Sequence, residues 1–319
     1  MEYTSREQLA GIRDYLRQTA DHTGKTAERI RREMAEAAAA APLLPSIAVE
    51  RVAVGPMNGE WLSPISALAE ENVKQAVLYV HGGGFVAGSC DIYRDLAGRV
   101  AEASGVKVLT FEYRLAPEHP YPAAEEDVLT AYRWLLANGY SARRIVLGGD
   151  SVGASLALML LLALRDTGEE FPAGAFLLSP HTDLVHLDGD SYRTHAGLDP
   201  TGSLEGNRAM FETYWGGRPG EKPALLSPLR SDLRGLPDLL IQVGDHEVLL
   251  SDATRFAERA EAVGVNVKLE IWEQMWCSFQ LLAPMLPEAR RAIAGIGRYV
   301  QATLSYSAAA SSSSPSSST

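Results

Sequence analysis

The residue best placed to do chemistry in this 319-residue chain is a serine at the bend between an apolar strand and an apolar helix. Residues 144–149 read as a strand that ends in Gly149-Asp150-Ser151-Val152-Gly153, a G-x-S-x-G, and the helix begins at Val152. A turn of this kind strains the serine, is tolerated because glycines flank it, and lifts the hydroxyl above the sheet edge. Ser151 is therefore the candidate nucleophile. Alone the pentapeptide is weak evidence, since a serine at a helix start is more often a cap.

A second motif strengthens it. The buried-looking strand 76–80 delivers His81-Gly82-Gly83-Gly84-Phe85. Three successive glycines let the backbone approach a ligand closely and turn its N–H groups inward, as a tetrahedral oxyanion requires. Gly83, Gly84 and the amide of Val152 are the candidate donors. A plain glycine loop is the alternative, disfavoured by its place directly after a buried strand and upstream of the serine.

These motifs need a frame. Apolar residues Leu9, Ile12 and Leu16, then Ile30 and Met34 leading into the alanines 37–41, recur at helical spacing and predict two N-terminal amphipathic helices. From residue 46 on, β-branched runs alternate with helical ones. Strands are expected at 47–54, 76–80, 106–113, 144–149, 175–179, 239–243 and 267–272, and helices at 92–103, 123–137, 152–165, 252–263 and 287–304. That alternation builds a mostly parallel sheet with helices on both faces, the α/β class. Residues 184–228 break the rhythm: they are rich in Gly, Asp and Pro with one helical patch near Met210, and read as an inserted cap over a site. The Ser-rich end, 307–319, is expected to be disordered. The division is thus 1–45 as cap helices, 46–306 as catalytic domain with its insertion, and a tail.

Composition narrows the partners. The net charge is −11 and no dense Lys/Arg stripe occurs, which argues against nucleic acid and anionic membranes. Two cysteines, Cys90 and Cys277, cannot form a disulfide framework and point to a reducing compartment. The polar start and the absence of a bilayer-length apolar run predict a cytoplasmic protein. The histidines lack ligand spacing and neither nucleotide-binding glycine motif appears, so no metal or cofactor is expected.

With these residues in view, the sequence resembles the hormone-sensitive-lipase-like group of α/β hydrolases, bacterial carboxylesterases in particular. Tyr113-Arg114-Leu115-Ala116-Pro117-Glu118, followed by Pro120, Pro122, Ala123, Ala124 and Asp127, reproduces a stretch typical of that group. The resemblance runs from the N-terminal helices to about Leu304. It implies the α/β-hydrolase fold: an eight-stranded, mainly parallel sheet with a cap made of the N-terminal helices and an insertion after the sixth strand. It also implies that Glu247, in Gly244-Asp245-His246-Glu247, is the carboxylate that orients a catalytic imidazole; Asp245 is the nearest competitor.

One position departs from the group. Cys277, in Trp276-Cys277-Ser278-Phe279, stands where related esterases carry the catalytic histidine, and no histidine follows His246. Imidazole takes the serine proton while donating to the carboxylate; a single sulfur with a reference pKa near ~8.5 does not bridge both. The substrate implied is a small acyl ester or lactone, with hydrolysis impaired. Two other readings stay open: a diverged reaction such as acyl transfer, elimination or cyclisation, and a ligand-binding protein, as in a plant gibberellin receptor that resembles this group and lacks the same histidine. His181, where relatives usually carry tryptophan, and His246 are candidate replacement bases. Pairing of Cys277 with Cys90 is disfavoured, and a homodimer is left open.

Overall fold

The computed structural model describes residues 3–20, 24–39, 44–67 and 74–312, apart from the side chains of 308–312. Two helices come first, α1 (Arg6–Thr19) and α2 (Ala27–Ala39). Ser5 starts α1 with a reciprocal capping box, accepting from Gln8 N–H while the Gln8 side chain bonds Ser5 N–H. The expected strand 47–54 is β1 (Ile47–Val54), but it does not lead directly to the glycine motif. It turns at Gly55 into β2 (Met57–Pro64), which pairs with it antiparallel from Val54↔Met57 to Ile47↔Pro64.

The remaining strands are β3 (Ala76–Val80), β4 (Val108–Phe111), β5 (Ile145–Asp150), β6 (Gly174–Leu178), β7 (Leu239–Gly244) and β8 (Val267–Trp272). They form one eight-stranded sheet in the order β1-β2-β4-β3-β5-β6-β7-β8. Pairing is antiparallel through β4 and parallel from there on. The α/β-hydrolase fold is thereby shown in this chain.

Helices cover both faces: α3 (Cys90–Ser104), α4 (Ala123–Ala137), α5 (Val152–Thr167), α8 (Leu250–Ala262) and α9 (Pro287–Ser312), with α6 (Ser191–Thr194) and α7 (Leu204–Trp215) between β6 and β7. The pleat sorts side chains between two cores. On β3, Leu78 and Val80 join the cluster that includes Leu156 of α5 and Phe256 of α8, while Val77 and Tyr79 join the one that includes Val100 of α3 and Ile296 of α9.

Two expectations are corrected. The strand β2 escaped the periodicity reading because Asn58, Gly59 and Pro64 disguise it; Gly59 is needed where a Cβ would press on the carbonyl of Thr110 at 2.8 Å. The tail is helical at its start: α9 continues to Ser312, since a helix already packed through Leu304 propagates readily into the alanines 308–310. The remainder of the predicted tail, 313–319, lies outside the described residues, as do 40–41 at the end of the predicted alanine run and 42–43 in the predicted break after it.

Candidate active site

Three chain segments converge at the carboxyl ends of the parallel strands. The first is the bend between β5 and α5. Ser151 there has φ +51° and ψ −123°, a left-handed backbone unusual for a residue with a side chain, and it remains partly exposed. Its N–H donates to Leu178 O at 2.8 Å, and its carbonyl accepts from Ala154 N at 3.1 Å and Ser155 N at 3.2 Å, which fixes the bend. The flanking glycines are required sterically. A Cβ on Gly149 would lie 2.6 Å from the Gly153 carbonyl, and one on Gly153 would strike the carbonyls of Val80 and His81.

That second contact brings in the second segment, because Val80 and His81 carry the glycine turn. Gly83 and Gly84 have φ of +107° and +65°, both half-buried. The Gly83 carbonyl accepts from Val86 N at 3.2 Å and Ala87 N at 2.9 Å; the N–H groups of Gly83 and Gly84 donate to no protein group among the described residues. Val152 opens α5, where its N–H lacks an intrahelical acceptor and the helix field favours negative charge. His81 itself is structural: its buried ring stacks on Tyr113 at 4.2 Å, and burial lowers its pKa to about 4.

The third segment joins the ends of β7 and β8. Glu247 is fully buried, and its Oε1 accepts from Ser179 Oγ at 3.0 Å and Gly244 N at 2.5 Å. Its other oxygen, Oε2, is buried without a hydrogen-bond partner among the described residues. Burial raises the carboxyl well above its ordinary range, and Asp199 and Asp252 raise it further. Cys277 is half-buried, a weak 3.7 Å contact from Ser278 Oγ. Burial pushes its thiol up, and the charge of Glu247 is the next cause. Cys277 is thus a neutral thiol within the electrostatic reach of Glu247, unsuited to act as a thiolate nucleophile.

Asp245, the competing acid, faces elsewhere: its Oδ1 accepts from Gln274 N at 2.5 Å and braces the turn after β8. His246 points to the N-terminal helix, where its Nδ1 meets Arg13 Nη1 at 2.6 Å. His181 is buried, its Nδ1 has no hydrogen-bond partner among the described residues, and burial lowers its pKa to about 4. No hydrogen bond joins either ring to Ser151 or Glu247 among the described residues. The structure therefore brings neither candidate replacement base to the site by hydrogen bonding. Cys90 and Cys277 are both free, and burial pushes Cys90 up to about 12.

What the sequence reading missed is the residue that ties these segments together. Asp150, the second letter of the serine pentapeptide, is buried and accepts four hydrogen bonds. Oδ1 takes Tyr79 OH and Gly82 N, each at 2.9 Å; Oδ2 takes Tyr93 OH and Ser278 Oγ, each at 3.1 Å. Burial still raises it to about 6. Ser179, at φ +47°, plays a similar part, donating to Glu247 and accepting Ser278 N–H at 3.1 Å. Nothing in their local spacing marks them, because their partners lie tens of residues away.

Comparison with known proteins agrees with this geometry. A family model described as alpha/beta hydrolase fold matches residues 77–281. The chain is 40% identical over 250 residues to an acetyl-hydrolase of Streptomyces hygroscopicus, covering 78% of this chain and 81% of that one. It is 36% identical over 260 residues to an esterase of Acinetobacter venetianus, covering 81% and 83%. Among solved structures, an esterase from the bacterial hormone-sensitive lipase family superposes with a TM-score of 0.88 at 40% identity, covering 94% of this chain and 99% of that one. By fold, by site architecture and by these relationships, the chain belongs to the α/β-hydrolase family, in its hormone-sensitive-lipase-like group.

Proposed function

We propose that the protein is a serine carboxylesterase-type hydrolase of small acyl esters or lactones, working through an acyl-enzyme on Ser151 and impaired by Cys277. The observation that carries the reading is the combination of the strained Ser151, Gly83 and Gly84 N–H groups that donate to none of the described residues, and a buried Glu247 whose Oε2 has no hydrogen-bond partner among them. The homologues named esterase and acetyl-hydrolase support the reaction class.

In this reading Ser151 Oγ attacks the substrate carbonyl carbon, and the resulting oxyanion takes N–H donors from Gly83, Gly84 and Val152. Collapse expels the alcohol and leaves an ester on Ser151; water then attacks that ester by the same route and releases the acid. Each half needs a base that accepts a proton from the attacking O–H and returns it to the leaving oxygen. Glu247 is assigned to orient such a base through its Oε2, but the Cys277 thiol holds its own proton. The proton must pass through water, and the donors and binding alone supply a residual acceleration of about 10³ to 10⁴ over the uncatalysed reaction. The helices α1 and α2 and the insertion between β6 and β7 serve as the cap, with Met210 of α7 against Gly84.

Incubation with a fluorophosphonate ester tests the reading. The expected result is one adduct per chain, located on Ser151 by peptide mass analysis and absent in Ser151→Ala. A folded chain that takes no adduct over a day would overturn covalent chemistry in favour of ligand binding.

A further inference from the structure

The glycine turn is gripped from the insertion side. Phe85, immediately after Gly84, has φ +62°, a backbone that disfavours any residue with a Cβ, and its ring is fully buried. The ring lies face to face on Tyr214 of α7, with centroids 3.7 Å apart and planes 4° from parallel. One turn earlier on the same helix, Met210 packs on the other side of the junction: a Cβ on Gly84 would be 3.3 Å from its Cγ and Sδ. Residues i and i+4 share a helix face, so one face of α7 touches two consecutive residues of the turn.

Tyr214 is itself immobilised. Its hydroxyl donates to the Glu125 carboxylate of α4, its carbonyl accepts Tyr121 N–H at 2.8 Å, and the Tyr121 ring meets it edge-on at 6.0 Å. On the far side the Phe85 carbonyl accepts Ala116 N–H at 2.9 Å, and Arg31 of α2 donates through Nε to Val86 O at 2.7 Å. The turn is thus clamped between the sheet and elements outside it.

We propose that Tyr214 is a positioning residue for ester hydrolysis: by stacking on Phe85 it holds the Gly83 and Gly84 amides in the direction an oxyanion requires, so transition-state stabilisation depends on α7 being seated. This rests on the carboxylesterase reading above. A displacement of about 1 Å in such donors is enough to cost up to about 10²-fold in rate. A tyrosine that only walls the substrate pocket would act on ground-state binding instead.

The test uses the full chain carrying Cys277→His, with kcat and KM measured on p-nitrophenyl acetate. Tyr214→Leu is expected to lower kcat at least about tenfold with KM within about twofold. Tyr214→Phe, which keeps the stacked ring, is expected to stay within about threefold of the parent. Phe85→Leu should reproduce the Tyr214→Leu loss, and the double variant should lose no more than about twofold beyond the larger single, as two ends of one contact do.

A raised KM with unchanged kcat, or losses that multiply in the double variant, would overturn the proposal. Circular dichroism checks that each variant folds. Should Tyr214→Leu not fold, Met210→Ala on the same helix face is expected to lower kcat about threefold at constant KM, and an unchanged kcat there counts against the proposal. An inactive Cys277→His chain overturns the carboxylesterase reading and this proposal with it; an active one indifferent to Tyr214→Leu overturns this proposal alone.

Discussion

Ser278 Oγ donates to Asp150 Oδ2 across 3.1 Å, so the residue after Cys277 is bonded to the residue before Ser151. Because Asp150 also holds Gly82 N–H, one carboxylate fixes the spacing of Ser151, the glycine turn and position 277 at once. The bonds do not offset the whole cost of burying its charge, which is why it ionises near pH 6 rather than 3.8.

That shift sets a pH dependence. Between pH 4 and 6 the unfolded chain has lost the Asp150 proton while the native chain keeps it, so this group lowers stability as pH rises through that window and levels off above it. The size is about 3 kcal/mol from the two pKa values. In Asp150→Asn the decline is expected to vanish, which urea unfolding from pH 4 to 8 would reveal as a difference curve against the parent. Parallel curves would contradict the burial assigned to this carboxyl.

His181 works in the opposite sense. Its folded pKa of about 4 lies below the unfolded reference of 6.5, so the unfolded chain gains a proton first as pH falls. Stability from this group is full above pH 6.5 and falls by about 3 kcal/mol toward pH 4. His181→Trp is expected to remove that acid-side loss, measured by the same unfolding series, and to leave Ser151 labelling within a factor of about three. A collapse of labelling would make His181 a participant after all.

Restoring an imidazole should reveal what Glu247 is for. In Cys277→His, hydrolysis of p-nitrophenyl acetate is expected to rise by roughly two orders of magnitude or more. Glu247→Gln is expected to change the residual rate of the native chain less than about threefold, yet to cost about 10³ to 10⁴ in the histidine variant. Equal losses in both backgrounds would mean that Glu247 acts on something other than residue 277.

The bend beneath Ser151 admits no Cβ at Gly153, where the carbonyls of Val80 and His81 already sit. Gly153→Ala must push β3 away from α5, and a loss of at least about 2 kcal/mol is expected in thermal or urea unfolding. A variant as stable as the parent would show that the β3–α5 junction yields more readily than its packing implies.

Much of this was readable in the chain because the relevant signals are local. Ser151 and the glycine turn are contiguous motifs, and each stands directly after an apolar strand that the sheet places centrally, β5 and β3. Glu247 is singled out by family resemblance and by its spacing to Leu249 and Asp252 rather than by a contiguous motif; it is buried, whereas Asp245 braces Gln274. The strand β2 was hidden by residues poor in β propensity and is held by pairing with β1 and β4. Asp150, Ser179 and Tyr214 acquire their roles from partners at least 57 positions away, and no period or spacing encodes such distances.

Glu247 is held by Ser179 Oγ and the Gly244 amide, neither of which involves the side chain at 277. The hydrogen bonds that hold Glu247 are therefore separable from the identity of residue 277, and a substitution at that position leaves both of these donors in place.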